Sequence, residues 1–166
     1  MATRGANFFL IPLISSASCL FSMSDAQAWR YEEFYSGMSE ANAEQALSRR
    51  GYQDLLRVPL SGKDGVYILQ NRSMNNKYHV SICGGVVYEI SVDVGSDFPM
   101  FASRVESEKS SRGEPRVTIS QSGIYSFVWA EWNEGADQFQ YIFQWDLGDK
   151  NGGVGMKYSA PGQCTK

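Results

Sequence analysis

The 166-residue chain has a single histidine, His79, and three cysteines, Cys19, Cys83 and Cys164. A closed metal site needs several His, Cys or carboxylate ligands at matched spacing, and this inventory does not supply them. Asp146, Asp149 and Asn151 share a glycine-rich stretch, yet their spacing misses the calcium-loop pattern and reads as a turn. There is no Gly-x-Ser-x-Gly elbow, so a Ser–His pair would have to be assembled by the fold. No cofactor motif is present. Basic residues form no cluster, which argues against a nucleic-acid binder. The net charge of −3 gives no electrostatic pull toward anionic membranes. The apolar run from Phe8 to Ile14 is too short and interrupted to span a bilayer.

That run instead has the form of a leader. Arg4 supplies a positive start, Phe8 to Ile14 the apolar middle, and Ala26-Gln27-Ala28 the small-x-small cleavage pattern. Residues 1–28 are therefore expected to be a signal peptide, with the mature chain starting at Trp29. The alternative is lipidation at Cys19, for which Ser16 is a poor residue at the third position before. Cleavage leaves Cys83 and Cys164, an even pair in an oxidising compartment, expected to form one disulfide; the alternative is two separate thiols. Arg4 and Asp25 leave together, so the net charge is unchanged. Residues 29–166 are enough for a single domain, periplasmic or secreted.

Along that domain, Trp29 to Tyr35 reads as an aromatic arm laid over the core. Ser39 suits a helix N-cap, Ala43, Ala46 and Leu47 form a thin apolar stripe, and Gly51 suits the residue after the helix. From Leu55 the period changes to two, predicting strands near 55–60, 65–71, 77–82 and 86–94. A three-residue connection at Cys83-Gly84-Gly85 would pair Val80 with Tyr88 and leave Cys83 at a hairpin tip, within reach of the C-terminal tail. Asp97 then caps a second helix carrying Phe98, Phe101, Ala102 and Val105, ending at Gly113-Glu114-Pro115. Strands follow near 116–121, 124–132, 138–146 and 153–159. The fold class is α+β: about eight antiparallel strands packed by two helices, in an order that suggests a tandem helix-plus-four-strand arrangement.

The densest signal runs from Ile124 to Trp145. Tyr125, Phe127 and Trp129 share one strand face, and Phe139, Tyr141, Phe143 and Trp145 share one on the next strand. Pairing across an Asn133–Asp137 loop sets Trp129 opposite Tyr141, Phe127 opposite Phe143 and Tyr125 opposite Trp145, closing the two rows of rings on one face. That face is expected to be core; the alternative is an exposed platform for sugar rings or for a partner's apolar patch. Ser126, Val128 and Ala130 would then lie on the wetter face with Gln140, Ile142 and Gln144. Trp132 falls on the face away from the main aromatic set, which makes it the candidate exposed anchor. Glu131, Glu134 and Asp137 crowd the same hairpin tip, where solvation leaves carboxyls little reason to shift their pKa. His79 alternates away from Tyr78, Val80 and Ile82 and is expected on the solvated face beside Ser81.

Gly37-Met38-Ser39 followed by a helix ending at Gly51 resembles the opening of the small helix-plus-sheet domains in outer-membrane assembly lipoproteins and β-lactamase inhibitor proteins. The doubled helix-then-four-strands order is similar to the tandem inhibitor architecture. Ser122-Gly123, Tyr125, Trp132 and Gly135 look like the signature of periplasmic C-type lysozyme inhibitors, although Glu134 stands at the lysine position and the spacing is shorter. That resemblance implies capture of an enzyme through Ser122, whereas Glu134 would repel the enzyme's acidic catalytic residues. The expectation is an exported non-enzymatic protein that binds a protein or cell-envelope partner through Glu131, Trp132, Glu134 and Asp137. It needs no cofactor, binds no nucleic acid and is not integral to a membrane. The rival is a carbohydrate- or peptidoglycan-binding protein or hydrolase using Trp132 with Glu131 or Glu134.

Overall fold

The computed structural model describes residues 29–60, 65–72, 77–146 and 152–164. The expected leader, with Cys19, lies outside the described residues, as do 61–64, 73–76 and 147–151. The chain begins with a two-strand hairpin, β1 (Arg30–Tyr31) and β2 (Phe34–Tyr35). Helix α1 (Glu40–Arg49) and strands β3 (Leu55–Pro59), β4 (Val66–Asn71), β5 (Tyr78–Cys83) and β6 (Val86–Gly95) follow. Helix α2 (Phe98–Arg112) opens a second set, β7 (Arg116–Ser122), β8 (Tyr125–Glu134), β9 (Asp137–Asp146) and β10 (Gly152–Ser159). A 3-10 turn, Pro161–Cys164, closes the described chain. All eight longer strands join one sheet in the order β3-β4-β5-β6-β10-β9-β8-β7. Each half is a helix followed by a four-strand meander, and the halves meet where β6 pairs antiparallel with β10. The tandem α+β arrangement is therefore the observed one.

The helix boundaries follow from local chemistry. The Ser39 side chain accepts from the Asn42 amide at 3.4 Å, and Gly51, at φ +86°, takes the left-handed position past the end of α1. Ala43, Ala46 and Leu47 are fully buried, and burying a leucine side chain contributes about 1.5–3 kcal/mol. Asp97 caps α2 by accepting from the Met100 amide at 2.8 Å. Of the expected stripe on α2 only Phe101 is buried; Phe98 stays half exposed while its ring meets Phe143 edge-on.

Both helices and the β1–β2 arm cover the same face of the sheet. Glu40 and Glu44 of α1 hold Arg57 of β3, and α2 lies over β9 and β10. Between them the arm stacks Tyr31 on Tyr158 and sets Phe34 against Tyr78. Leu69, Val80, Ile82, Ile90, Val92 and Phe139 fill this face with essentially no exposure. Cys83 and Cys164 are joined in a disulfide with Cα atoms 5.8 Å apart, which ties the tail to the β5–β6 turn. Among the described residues no helix is long and apolar enough to cross a membrane.

Two registers differ from expectation. The β5–β6 turn is the two-residue Gly84-Gly85, both at positive φ, so Cys83 pairs with Val86 and Ile82 with Val87. A bulge then shifts the ladder so that Ser81 pairs with Glu89, Val80 with Ile90 and Tyr78 with Val92. The bulge brings Ile90 and Val92 to the helix side, which the expected three-residue connection would have achieved by other means. The β8–β9 turn is also two residues, Gly135-Ala136, and pairs Glu134 with Asp137. Trp129 therefore lies opposite Ile142 and Ala130 opposite Tyr141. The two rows of rings do not close on each other; they lie on opposite faces of the sheet.

Candidate functional site

This register leaves a whole sheet face uncovered by helices. Reading across it, Leu56 and Val58 stand on β3, Ile68 on β4, His79 and Ser81 on β5, and Glu89, Ser91 and Asp93 on β6. The row continues through Gly155 and Lys157 on β10, Gln140, Ile142 and Gln144 on β9, and Tyr125, Phe127, Trp129 and Glu131 on β8. The centre of the face is polar and knit together. Ser81 donates to Glu89 at 3.3 Å, Lys157 lies 3.6 Å from the same carboxylate, and Gln140 donates to Glu131 at 2.6 Å. Burial pushes the Tyr88 hydroxyl above its ordinary pKa; Glu89 adds to the rise and a hydrogen bond with Ser81 opposes it.

An open groove of about 570 Å³ runs over this face, with His79, Ser81, Glu89 and Asp93 on one flank and Ile142, Gln144, Tyr125 and Asp146 on the other. Its floor includes Gly153 and Gly155, where β10 presents backbone without side chains. Beside it stands a ridge of rings. Phe127 and Trp129 stack on each other at 5.3 Å with planes only 8° apart, and Tyr125, 41% exposed, continues the line at 6.5 Å from Phe127. Those two rings lie parallel and in contact with each other. The face can thus offer an apolar ridge, a groove and hydrogen-bonding groups to a contoured surface. Among the described residues no three acidic, His or Cys side chains converge as a metal-holding group.

The hairpin-tip residues are separated by the fold. Trp132 is 4% exposed, stacked on Phe139 at 5.5 Å beneath α2, and its indole N–H donates to the Gly113 carbonyl at 2.8 Å. The expectation of an exposed anchor is corrected: even-numbered residues of β8 face the helices. Glu134 is ion-paired with Arg112, whose guanidinium lies 4.2 Å from the Phe139 ring centre. Asp137 is half-buried, and burial, reinforced by Glu134, raises its pKa. Its Oδ1 is buried without a hydrogen-bond partner among the described residues. The tip carboxyls are therefore not uniformly solvated. Only Glu131 lies on the open face, held by Gln140 and by Asn133 at 3.3 Å. His79 does lie on the open face beside Ser81, lining the groove.

Sequence reasoning missed the ridge and the floor. In the sequence the ridge residues are rings sharing a strand face, expected in the core with an exposed platform as the alternative; the structure shows that face open. The signal that would have placed them is Gly135, at φ +68°: a two-residue turn there reverses the facing of β8 against β9. Gly153 and Gly155 fall in the strand expected near 153–159, where alternation alone does not mark them as a groove floor. Comparisons with protein-family models, with curated proteins and with solved structures gave no match.

Proposed function

We propose that this chain is an exported, non-enzymatic protein that captures a protein partner on the open face of its sheet. One observation carries the reading. An eight-stranded sheet buries one face under two helices and an arm, while the other holds a groove flanked by the Tyr125–Phe127–Trp129 ridge. Aromatic side chains with rigid placement and a partly polar surround are what protein interfaces concentrate. The sugar-binding rival needs ring faces turned outward to stack on a pyranose. Here Phe127 and Trp129 are stacked on each other, which favours a protein. Export is supported by the leader-like start and by the Cys83–Cys164 disulfide, which suits an oxidising compartment.

The test is capture of a partner from cell-envelope extract by the mature chain. Replacing Phe127 and Trp129 by serine should abolish capture while leaving the thermal transition cooperative. Serine for the exposed Ile119 and Val117 at the far sheet edge should leave capture intact. Capture that ignores the ridge, or turnover of an oligosaccharide, would overturn the reading.

A further inference from the structure

Glycine inside a strand packs nothing and gives up more chain freedom than any other residue on folding. Gly152 has an internal reason: a Cβ there would come within 2.6 Å of the Phe143 ring. Gly153 and Gly155 have no such reason. A Cβ at either meets nothing within 4 Å, and neither holds a left-handed φ. They are nonetheless where the open face is lowest, with Gly155 between Asp93 of β6 and Ile142 of β9 and Gly153 beside Gln144. Bare backbone at the floor of an open groove admits close approach by another molecule.

The groove's charge narrows what approaches. Its lining holds three carboxylates, Glu89, Asp93 and Asp146, and neither lysine nor arginine. Glu89 is engaged by Ser81 and Lys157, while Asp93 is exposed on the rim. The Tyr125 ring lines the end that holds Asp146. These acids are spread along the groove and do not converge on a point, which suits an extended side chain with a cationic head better than a metal ion. Rings beside carboxylates are favourable company for a guanidinium or ammonium group.

Resting on the reading of the open face as a protein-capture surface, we propose that the glycine floor of β10 seats an arginine or lysine side chain carried on a projecting loop of the partner. Its stem lies over Gly153 and Gly155, and its charged head meets the carboxylates of the groove, Asp93 first among them.

The probe is an acetyl-Gly-Arg-Gly amide titrated into the ¹⁵N-labelled mature chain, beside counterparts with citrulline or glutamate in place of arginine. Saturable amide shifts confined to Asp93, Gly153, Gly155 and their strand neighbours are expected for arginine, with binding at least about tenfold weaker for citrulline. Gly155→Phe, which fills the floor, should abolish those shifts with the rest of the spectrum unchanged, and Asp93→Asn should weaken them. Should Gly155→Phe fail to fold, Gly153→Val makes the same test with a smaller, strand-compatible side chain. Scattered shifts, equal response to the citrulline or glutamate peptide, or shifts that survive the filled floor would overturn the proposal. Partner capture from envelope extract separates the two levels. Loss with the ridge serines but retention with Gly155→Phe and Asp93→Asn overturns the basic side chain and leaves the open-face reading standing. Retention with all of them overturns both.

Discussion

Trp132 and Trp129 sit three residues apart on β8 and answer to different demands. Trp132 is closed under α2 with its N–H bonded to Gly113, whereas Trp129 stands on the open face against Phe127. Trp132→Ala should therefore cost about 3–5 kcal/mol, and Trp129→Ala about 1 kcal/mol, read from urea midpoints of the two variants. Equal costs would contradict the facing assigned to β8. Asp137 offers a second residue-scale check. Burial and Glu134 raise its pKa, so its charged form is disfavoured in the folded state. A raised carboxyl pKa loses stability as pH rises from the unfolded carboxyl's pKa, about 3.9, through the folded one, and the loss is complete above it. Asp137→Asn should then raise the denaturant midpoint at neutral pH, and the gain should vanish as pH falls below the folded pKa. A variant less stable than the parent at pH 7 would refute the sign.

At the scale of elements, two-residue turns and one bulge decide which side each strand shows. Gly84 and Gly85 turn β5 into β6 at positive φ, and the bulge beside Ser81 restores Ile90 and Val92 to the core. The same hairpin is tied to the 3-10 turn by the Cys83–Cys164 bridge, across a separation of 81 residues. Replacing both cysteines by alanine should lower stability by about 2–4 kcal/mol, chiefly by freeing the unfolded chain. The measurement is a pair of urea titrations of the parent, with and without reductant, beside the double variant. The reduced parent and the variant should coincide; a reductant-insensitive parent would mean the bridge contributes nothing. The helix starts carry local caps, Ser39 and Asp97, and the start of α1 is held to the β5–β6 hairpin as well, where the Glu40 N–H donates to the Gly85 carbonyl at 2.9 Å.

For the molecule as a whole, the sheet is continuous across the β6–β10 seam, so the halves should unfold together. Each half holds a tyrosine whose pKa is pushed up to about 12, Tyr78 and Tyr141, by burial first, with Glu32 near one and Glu108 near the other. An unfolded tyrosine loses its proton near pH 10. Between about pH 10 and 12 the unfolded chain therefore binds fewer protons than the folded one, and stability falls as pH rises. The melting temperature should decline across that window in one cooperative step, and Tyr78→Phe with Tyr141→Phe should flatten the decline. An alkaline limb unchanged in the double variant would assign the loss to other groups.

Local chemistry was enough to reveal both helices with their caps, all eight long strands to within a residue or two, the cysteine pair, and the doubling of the element order. These depend on periods and on residues that act on their own backbone neighbours. What folding alone could settle was the side of the sheet on which each row of rings would lie. Alternation defines two faces of a strand without saying which one a helix will cover, and that choice turns on parity: one residue more or less in a turn exchanges the faces. With Gly135-Ala136 as the whole β8–β9 turn, Phe139, Tyr141 and Phe143 went under α2, Trp132 followed them, and Tyr125, Phe127 and Trp129 were left beside the groove.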